Sequence, residues 1–280
     1  MVAIATEERR YEPTQHDFAI ASVIAVMRRD PTRALTLQQQ AEIAGFSPFH
    51  FARLFRDVIG IPPGEFLTAL RFERSKELLL TTDASVTDIC YEIGYESLGT
   101  FSSRFRQLVG VSPQQFRRFP QILTPDLFAE REEIPKILGP TGSVMGRISM
   151  TEPGPKMSVY IGVFSAAIAR GFPTAGKFIP VHGDYCIDDV PPGGYTLLAA
   201  AIPANAGPMA HLTPDASLRV GVGGSKIVIT QRGETVFCDV VLRKLSPCDP
   251  PILISLPALL LPAEEMRKRE EALGIDLRVG

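Results

Sequence analysis

The chain has no run of about 18 apolar residues, so we expect no helix that crosses a membrane. The stretch from Met1 to Tyr11 has no apolar core behind its charges, and no secretory signal is expected there. Cysteine is scarce. Cys90, Cys186, Cys238 and Cys248 include no C-x-x-C pair, which argues against a zinc knuckle or a redox motif and suits reduced thiols in the cytoplasm. No Walker A loop, Rossmann glycine fingerprint or G-x-S-x-G elbow occurs. No cofactor and no metal are therefore expected, and the chain does not read as an enzyme. His182, Asp184, His211 and Asp215 are residue types that can bind a metal, but their setting suits polar loop and strand-end positions. Ser165 and Ser225 have no base nearby in sequence.

An excess of basic charge is also missing. The 280 residues hold 29 Lys plus Arg against 31 Asp plus Glu, a net charge of -2. Residues 1–120 balance at 14 against 14. A total near zero counts mildly against a nucleic-acid partner, but the field at a docking face decides binding. Between Ser97 and Phe119 the sequence places Arg104, Arg106, Arg117 and Arg118 and no acid.

At this length two domains are expected. Residues 14–119 show apolar positions at helical spacing, as in Phe18, Ala21 and Ile24, then Phe51, Leu54, Phe55 and Val58, then Phe66, Leu70 and Leu78. From residue 144 to 245 the pattern turns to short Val, Ile, Tyr and Phe runs cut by Gly and Pro, the mark of strands. Seven are expected, at 143–150, 157–164, 178–188, 194–202, 217–222, 225–230 and 234–244. The resulting fold class is multi-domain, an all-α domain followed by an all-β sandwich. The boundaries read from composition are an N-terminal extension at 1–13, a helical domain at 14–120, a linker at 121–141, a sandwich at 142–245 and a proline-rich tail at 246–280 that ends in a short helix.

The helical region repeats itself. TLQQQAEIAGFSPFHFARLFRDVIGIPPGEF (36–66) aligns with SVTDICYEIGYESLGTFSSRFRQLVGVSPQQF (85–116) once Glu96 is treated as an insertion. Ala41 then pairs with Cys90, Gly45 with Gly94, Ser47 with Ser97, Phe51 with Phe101, Phe55 with Phe105 and Gly60 with Gly110. Each copy has the parts of a helix-turn-helix, at about 36–60 and 86–110. These are a small residue where two helices approach, a glycine at the turn where positive φ is needed, a serine to cap the second helix, and a glycine to stop it. The second helices are expected to bury Phe51, Leu54, Phe55 and Val58, or Phe101, Phe105 and Leu108. They would expose Phe49, His50, Ala52 and Arg53, or Leu98, Gly99, Ser102, Ser103 and Arg104. A plain helical bundle would fill such faces with Glu and Lys. Small polar residues with arginine suit close approach to bases and phosphates.

Residues 14–119, and ELLLTTDASVTDICYEIGYESLGTFSSRFRQLVGVSPQQFR above all, resemble the DNA-binding domain of the AraC/XylS family of bacterial transcription regulators. The resemblance implies two helix-turn-helix units joined by a long helix, here about Pro63–Leu80, which enter successive major grooves. It assigns Phe49, Ala52 and Arg53, then Leu98, Gly99, Ser102 and Ser103, to the bases, with Arg104 near the backbone. Gln40 departs from the pattern, since an aliphatic residue is usual there, and its amide must find a partner or water. Ala52 and Gly99 offer no side-chain hydrogen bond, so DNA shape would carry part of the reading. The segment FIPVHGDYCIDDVPPGGYTLLAAAIP (178–203) resembles carboxypeptidase-regulatory-like, transthyretin-like sandwich modules. Expected partners are double-stranded DNA with an asymmetric operator, RNA polymerase, a small-molecule effector of unspecified identity and a second copy of the chain. The apolar ILISLPALLLP (252–262) would pack on the sandwich or form a dimer contact. The competing reading is an interaction or structural protein in which the β module is the functional part and DNA binding is a tether.

Overall fold

A computed structural model describes residues 14–124, 141–165, 169, 171–213, 216–224, 226–260 and 263–272. The extension at 1–13 and nearly all of the expected linker lie outside the described residues.

Seven helices come first: α1 (Gln15–Arg29), α2 (Leu37–Ala44), α3 (Pro48–Ile59), α4 (Pro63–Thr81), α5 (Val86–Glu92), α6 (Leu98–Val109) and α7 (Pro113–Ile122). The repeat is visible in how they begin. Thr36 with Gln39 and Ser85 with Asp88 form reciprocal capping boxes at equivalent places in the two copies. Thr14 with Asp17 and Ser112 with Gln115 do the same for α1 and α7. Ser97 caps α6 as expected, accepting from the Thr100 amide. Ser47 sits at the matching position of α3 but makes no side-chain capping bond. Pro48 follows it, with no amide hydrogen to satisfy. Gly45 and Gly94 take φ of 73° and 83° at the two turns, and Gly60 and Gly110 stop α3 and α6 at 88° and 95°.

Phenylalanines build the helical core. Phe51, Phe55 and Phe66 stack edge to face in one unit. In the other, Phe72, Phe101, Phe105, Phe116 and Phe119 form a second chain of rings. Helix α4 serves both, lending Phe66 to the first cluster and Phe72 to the second. That explains why it buries more than one face, leaving a narrow polar stripe of Thr68, Arg71, Arg74, Glu77 and Thr81.

The second region is sheet: β1 (Gly142–Met150), β2 (Met157–Phe164), β3 (Ala175–Ile179), β4 (Asp184–Val190), β5 (Gly193–Pro203), β6 (Arg219–Val222), β7 (Ile227–Ile229), β8 (Thr235–Phe237) and β9 (Val240–Lys244). The strands pair in the order β3-β2-β5-β6-β9-β1-β4, with β7 on β5 and β8 on β1. The ends of this path, β3 and β4, follow one another in the chain and lie against each other, so the sheet curls into a nearly closed barrel. Among the described residues there are nine strands rather than the expected seven, because two long runs are broken. Residues 180–183, with Pro180 and Gly183, turn the chain between β3 and β4. The run 234–244 breaks at Cys238–Asp239, where it moves from the first half of β1 to the second. There the Cys238 carbonyl occupies the space that a Cβ on Gly146 would need, and Asp239 Oδ1 accepts from the Arg147 amide at 2.8 Å. Val144, Ile148, Val159, Ile161, Val163, Leu197, Val240 and Leu242 fill the interior.

The tail packs within the chain. Ile254, Leu256 and Leu260 cover the outer face of the sheet beside Tyr160, Phe178 and Ile202. Leu253 and Met266, the latter on α8 (Ala263–Ala272), join the helical core, as does Leu212.

Candidate nucleic-acid interface

Helices α3 and α6 present like faces. On α3 the rings of Phe51 and Phe55 are fully buried. Phe49 is 83% exposed, a costly position for an aromatic ring unless something covers it. Arg53 also points outward, with a loose 3.8 Å ion pair to Asp57. Ala52 is half-buried. His50 is exposed, but its ring lies 5.0 Å from that of Phe46 and 6.4 Å from that of His16. Val58 was expected in the core and is 42% exposed, while Leu54 is half-buried. Phe51 and Phe55 close this short helix, Leu54 and Ile59 pack at the edge of the same core, and Val58 lies on the far side of the last turn.

On α6, Phe101, Phe105, Leu108 and Val109 are buried. Leu98, Gly99 and Ser103 are exposed, and Ser102 and Arg104 are half-buried. A side chain on Gly99 would meet only Ser97 Oγ, at 3.9 Å, so its surface is open to close approach. Arg104 donates to Gln107 Oε1 at 2.6 Å, which holds the guanidinium along the helix.

Two of the four arginines between Ser97 and Phe119 do not face outward as free charges. Arg117 turns inward and donates to the carbonyls of Leu79 and Ala84, where α4 hands over to α5. Arg118 interacts electrostatically with Glu270 on α8. Arg104 and Arg106 are left to supply the field. Sequence reasoning also missed Arg71, which bridges the units by donating to the carbonyls of Pro31 and Arg33. Its acceptors are backbone atoms, which leave no residue-type signal.

Gln40 is buried and donates through Nε2 to the Leu35 carbonyl at 2.8 Å, but its Oε1 has no partner among the described residues. Ala41 and Cys90 are fully buried where the paired helices meet. Burial pushes the Cys90 thiol up, away from the reactive thiolate. All four cysteines are free thiols.

The polar residues of the sheet do not converge. His182 Nδ1 accepts from the Met157 amide at 3.2 Å. Asp184 pairs with Arg147 at 2.7 Å. His211 lies elsewhere, buried against the Tyr160 hydroxyl at 2.8 Å. Asp215 and Ser225 lie outside the described residues. Among the described residues no group of His, Cys, Asp and Glu is arranged to hold a metal, and no helix is long and apolar enough to cross a membrane.

A family model described as a helix-turn-helix domain matches residues 40–118. The HTH-type transcriptional activator AarP of Providencia stuartii is 32% identical over 105 residues, which cover 37% of this chain and 78% of AarP. The melibiose operon regulatory protein of Escherichia coli (strain K12) is 30% identical over 104 residues, 37% of this chain and 34% of that protein. The chain thus spans most of the first relative and about a third of the second. A solved structure of the DNA-binding domain of AdpA, a global transcriptional factor in complex with a target DNA, is 29% identical. It covers 37% of this chain and 97% of its own, with a TM-score of 0.35.

Proposed function

Since the chain belongs to the AraC family of helix-turn-helix regulators, and is a DNA-binding transcription regulator, we propose that it reads one asymmetric operator through both of its units at once. The observation that carries this reading is the pair of outward faces on α3 and α6, whose buried rings pack on Phe66 and Phe72 of the 19-residue α4 that joins the units. Such a helix spans about 28 Å at about 1.5 Å per residue. With the width of each unit added, that bridges neighbouring major grooves about 34 Å apart.

Phe49, Ala52 and Arg53 meet one base segment, with His50 at its edge. Leu98, Gly99, Ser102 and Ser103 meet the other, with Arg104 on the backbone. The faces differ in chemistry and no two-fold axis relates them, so the operator has no need to be a palindrome. RNA polymerase and a second copy of the chain are the macromolecular partners this role implies, and the four free thiols suit the cytoplasm. The sheet domain senses, dimerises or contacts protein. We also assign it to the carboxypeptidase-regulatory-like sandwiches. Supporting this, the turn of segment 178–203 has Asp189 at φ 59° and the Tyr195 hydroxyl donating to the Pro191 carbonyl at 3.0 Å.

Selection of bound sequences from a random DNA pool, followed by footprinting, tests the proposal. The expected site is asymmetric, roughly 15–20 base pairs, with two protected segments about one helical turn apart. A short palindrome that binds two copies of the chain would overturn it. Weak, salt-sensitive binding to every sequence would favour the tether reading instead.

A further inference from the structure

The outer face of the sheet holds a pocket that no residue of α3 or α6 lines. Strands β2, β5 and β6 run side by side, and their register sets two rows of outward residues: Tyr160, Ala200 and Val220, then Gly162, Leu198 and Val222. Residues 249–256 cross above these rows as a strap, with Ile252 and Ile254 turned toward the sheet. Pro173 fills the space over Gly162, but Ala200 projects only a methyl, so strap and sheet do not close there and a cavity of about 100 Å³ remains between them.

Its walls are apolar except for Arg243, Asp249 and Tyr160, whose hydroxyl is engaged with His211 Nδ1 at 2.8 Å. Arg243 and Asp249 satisfy each other in a bidentate pair at 2.7 Å per bond, so neither asks for a charged ligand. An apolar cavity of about 150 Å³ takes up a molecule the size of benzene. The space here is about a third smaller, so it takes a branched aliphatic group as it stands and a single ring only when the strap gives way, and it is too narrow for a peptide segment.

The roof of the pocket also grips the DNA-binding helices. Arg28 of α1 donates to the carbonyls of Pro247 and Asp249 at 2.6 and 2.8 Å. Lys76 of α4, itself buried, donates to the carbonyl of Ile252 at 3.1 Å. The amide of Ser255 donates to the carbonyl of Val109, at the end of α6, at 3.0 Å. One short strap therefore touches α1, which packs on the first unit, the linking helix and the second unit. Ile252 lines the pocket through its side chain and holds Lys76 through its carbonyl.

We propose that this pocket binds a small, neutral, predominantly apolar molecule of about one ring, and that the 247–256 strap passes its occupancy to the DNA-binding helices. A ligand seated between sheet and strap must lift Ile252 or repack it, because close-packed walls do not deform continuously. Either movement shifts the acceptor of Lys76 and the anchors of Arg28 and Val109. The transmission half rests on the reading of the chain as an operator-binding regulator, while the binding half stands apart from it.

The test uses the full chain and toluene as the probe. Calorimetry should show toluene binding to the wild type, with sodium benzoate as a charged control that does not bind. Ala200→Leu fills the cavity and should abolish binding. Val222→Phe, at a position 54% exposed and so tolerant of a larger ring, should weaken it and serves if Ala200→Leu does not fold. Saturating toluene should change the operator Kd by about fivefold or more, the lower end of typical couplings. Lys76→Met should still bind toluene but lose that change.

No toluene binding to the wild type, or equal binding by folded pocket-filling variants, overturns the site. Binding that leaves the operator Kd unchanged overturns the transmission. If the full chain without toluene binds no operator, the regulator reading fails, and calorimetry still decides the site.

Discussion

Gly45 and Gly94, 49 positions apart, hold the same left-handed backbone, φ 73° and 83°, each at the turn that leads into an outward-facing helix. A Cβ on Gly45 would meet nothing within 4 Å, and one on Gly94 would meet the Thr32 carbonyl at 3.8 Å and Arg71 at 3.9 Å, both ordinary contacts. The cost of alanine is therefore conformational. Gly45→Ala and Gly94→Ala should each lower unfolding stability by about 1–2 kcal/mol. Gly64→Ala, inside α4 and equally unobstructed, should leave it unchanged or raise it by up to about 1 kcal/mol. Urea unfolding of the three variants checks the contrast, and equal losses at all three would refute it.

Arg53→Ala should weaken operator binding by about 1–3 kcal/mol and relax preference at one or two base pairs. Its guanidinium is outward and held only by a loose pair to Asp57. Selection with the mutant protein measures both effects, and an unchanged preference would remove Arg53 from the base-reading set.

Arg104 and Arg117 both lie in the acid-free stretch from Ser97 to Phe119, and they should behave differently. Arg104→Ala should weaken binding to all sequences alike and flatten the slope of log affinity against log salt by about one. Arg117→Ala strips hydrogen bonds from two carbonyls at the α4–α5 junction, and should cost stability of about 1–3 kcal/mol with the salt slope unchanged. Salt titration alongside thermal melts separates the two roles.

That contrast marks the limit of what the sequence reveals. Residue type and spacing locate the capping serines, the turn glycines and the buried phenylalanines, because each follows from backbone geometry or from burial on one helix face. The outward exposure of Phe49 and Arg53 follows in the same way. Which arginines stay outside does not, since Arg117, Arg71 and Arg28 all end on backbone carbonyls that any residue could supply. The break at Cys238–Asp239 was hidden for a similar reason. Val and Phe run through it without a proline, and only the path of β1 across two partners requires the kink. Leu253 reads as one more apolar residue in an apolar stretch, and nothing local says that it faces the helices while Ile254 faces the sheet.

Burial holds the imidazole of His211 down at about 4, beside the Tyr160 hydroxyl, whose own ionisation burial pushes well up. The unfolded chain takes up a proton near 6.5 and the folded protein does not until about 4. Stability should therefore fall as pH drops through that window, by at most about 1.4 kcal/mol per pH unit from this residue, and level off below it. His211→Gln should flatten the dependence of melting temperature on pH between 6.5 and 4. A wild-type slope retained in that variant would assign the effect to other groups.

A fragment of residues 14–124 should fold as helix yet melt below the full chain, because Leu212, Leu253 and Met266 belong to the helical core. Circular dichroism of the two proteins reads the difference, and equal melting temperatures would show that these three residues contribute nothing.

The same arrangement orders events during synthesis. Domains of growing chains fold first at the N-terminal side as residues emerge, at about 5–20 per second. The phenylalanine clusters are complete by Phe119, but Leu253 emerges about 130 residues later, roughly 7–26 seconds at that rate. Through that interval the ribosome carries a helical domain whose face toward the strap is bare, with the buried Lys76 still lacking its carbonyl partner. The nascent protein could engage DNA before the part that holds its helices from behind has been made.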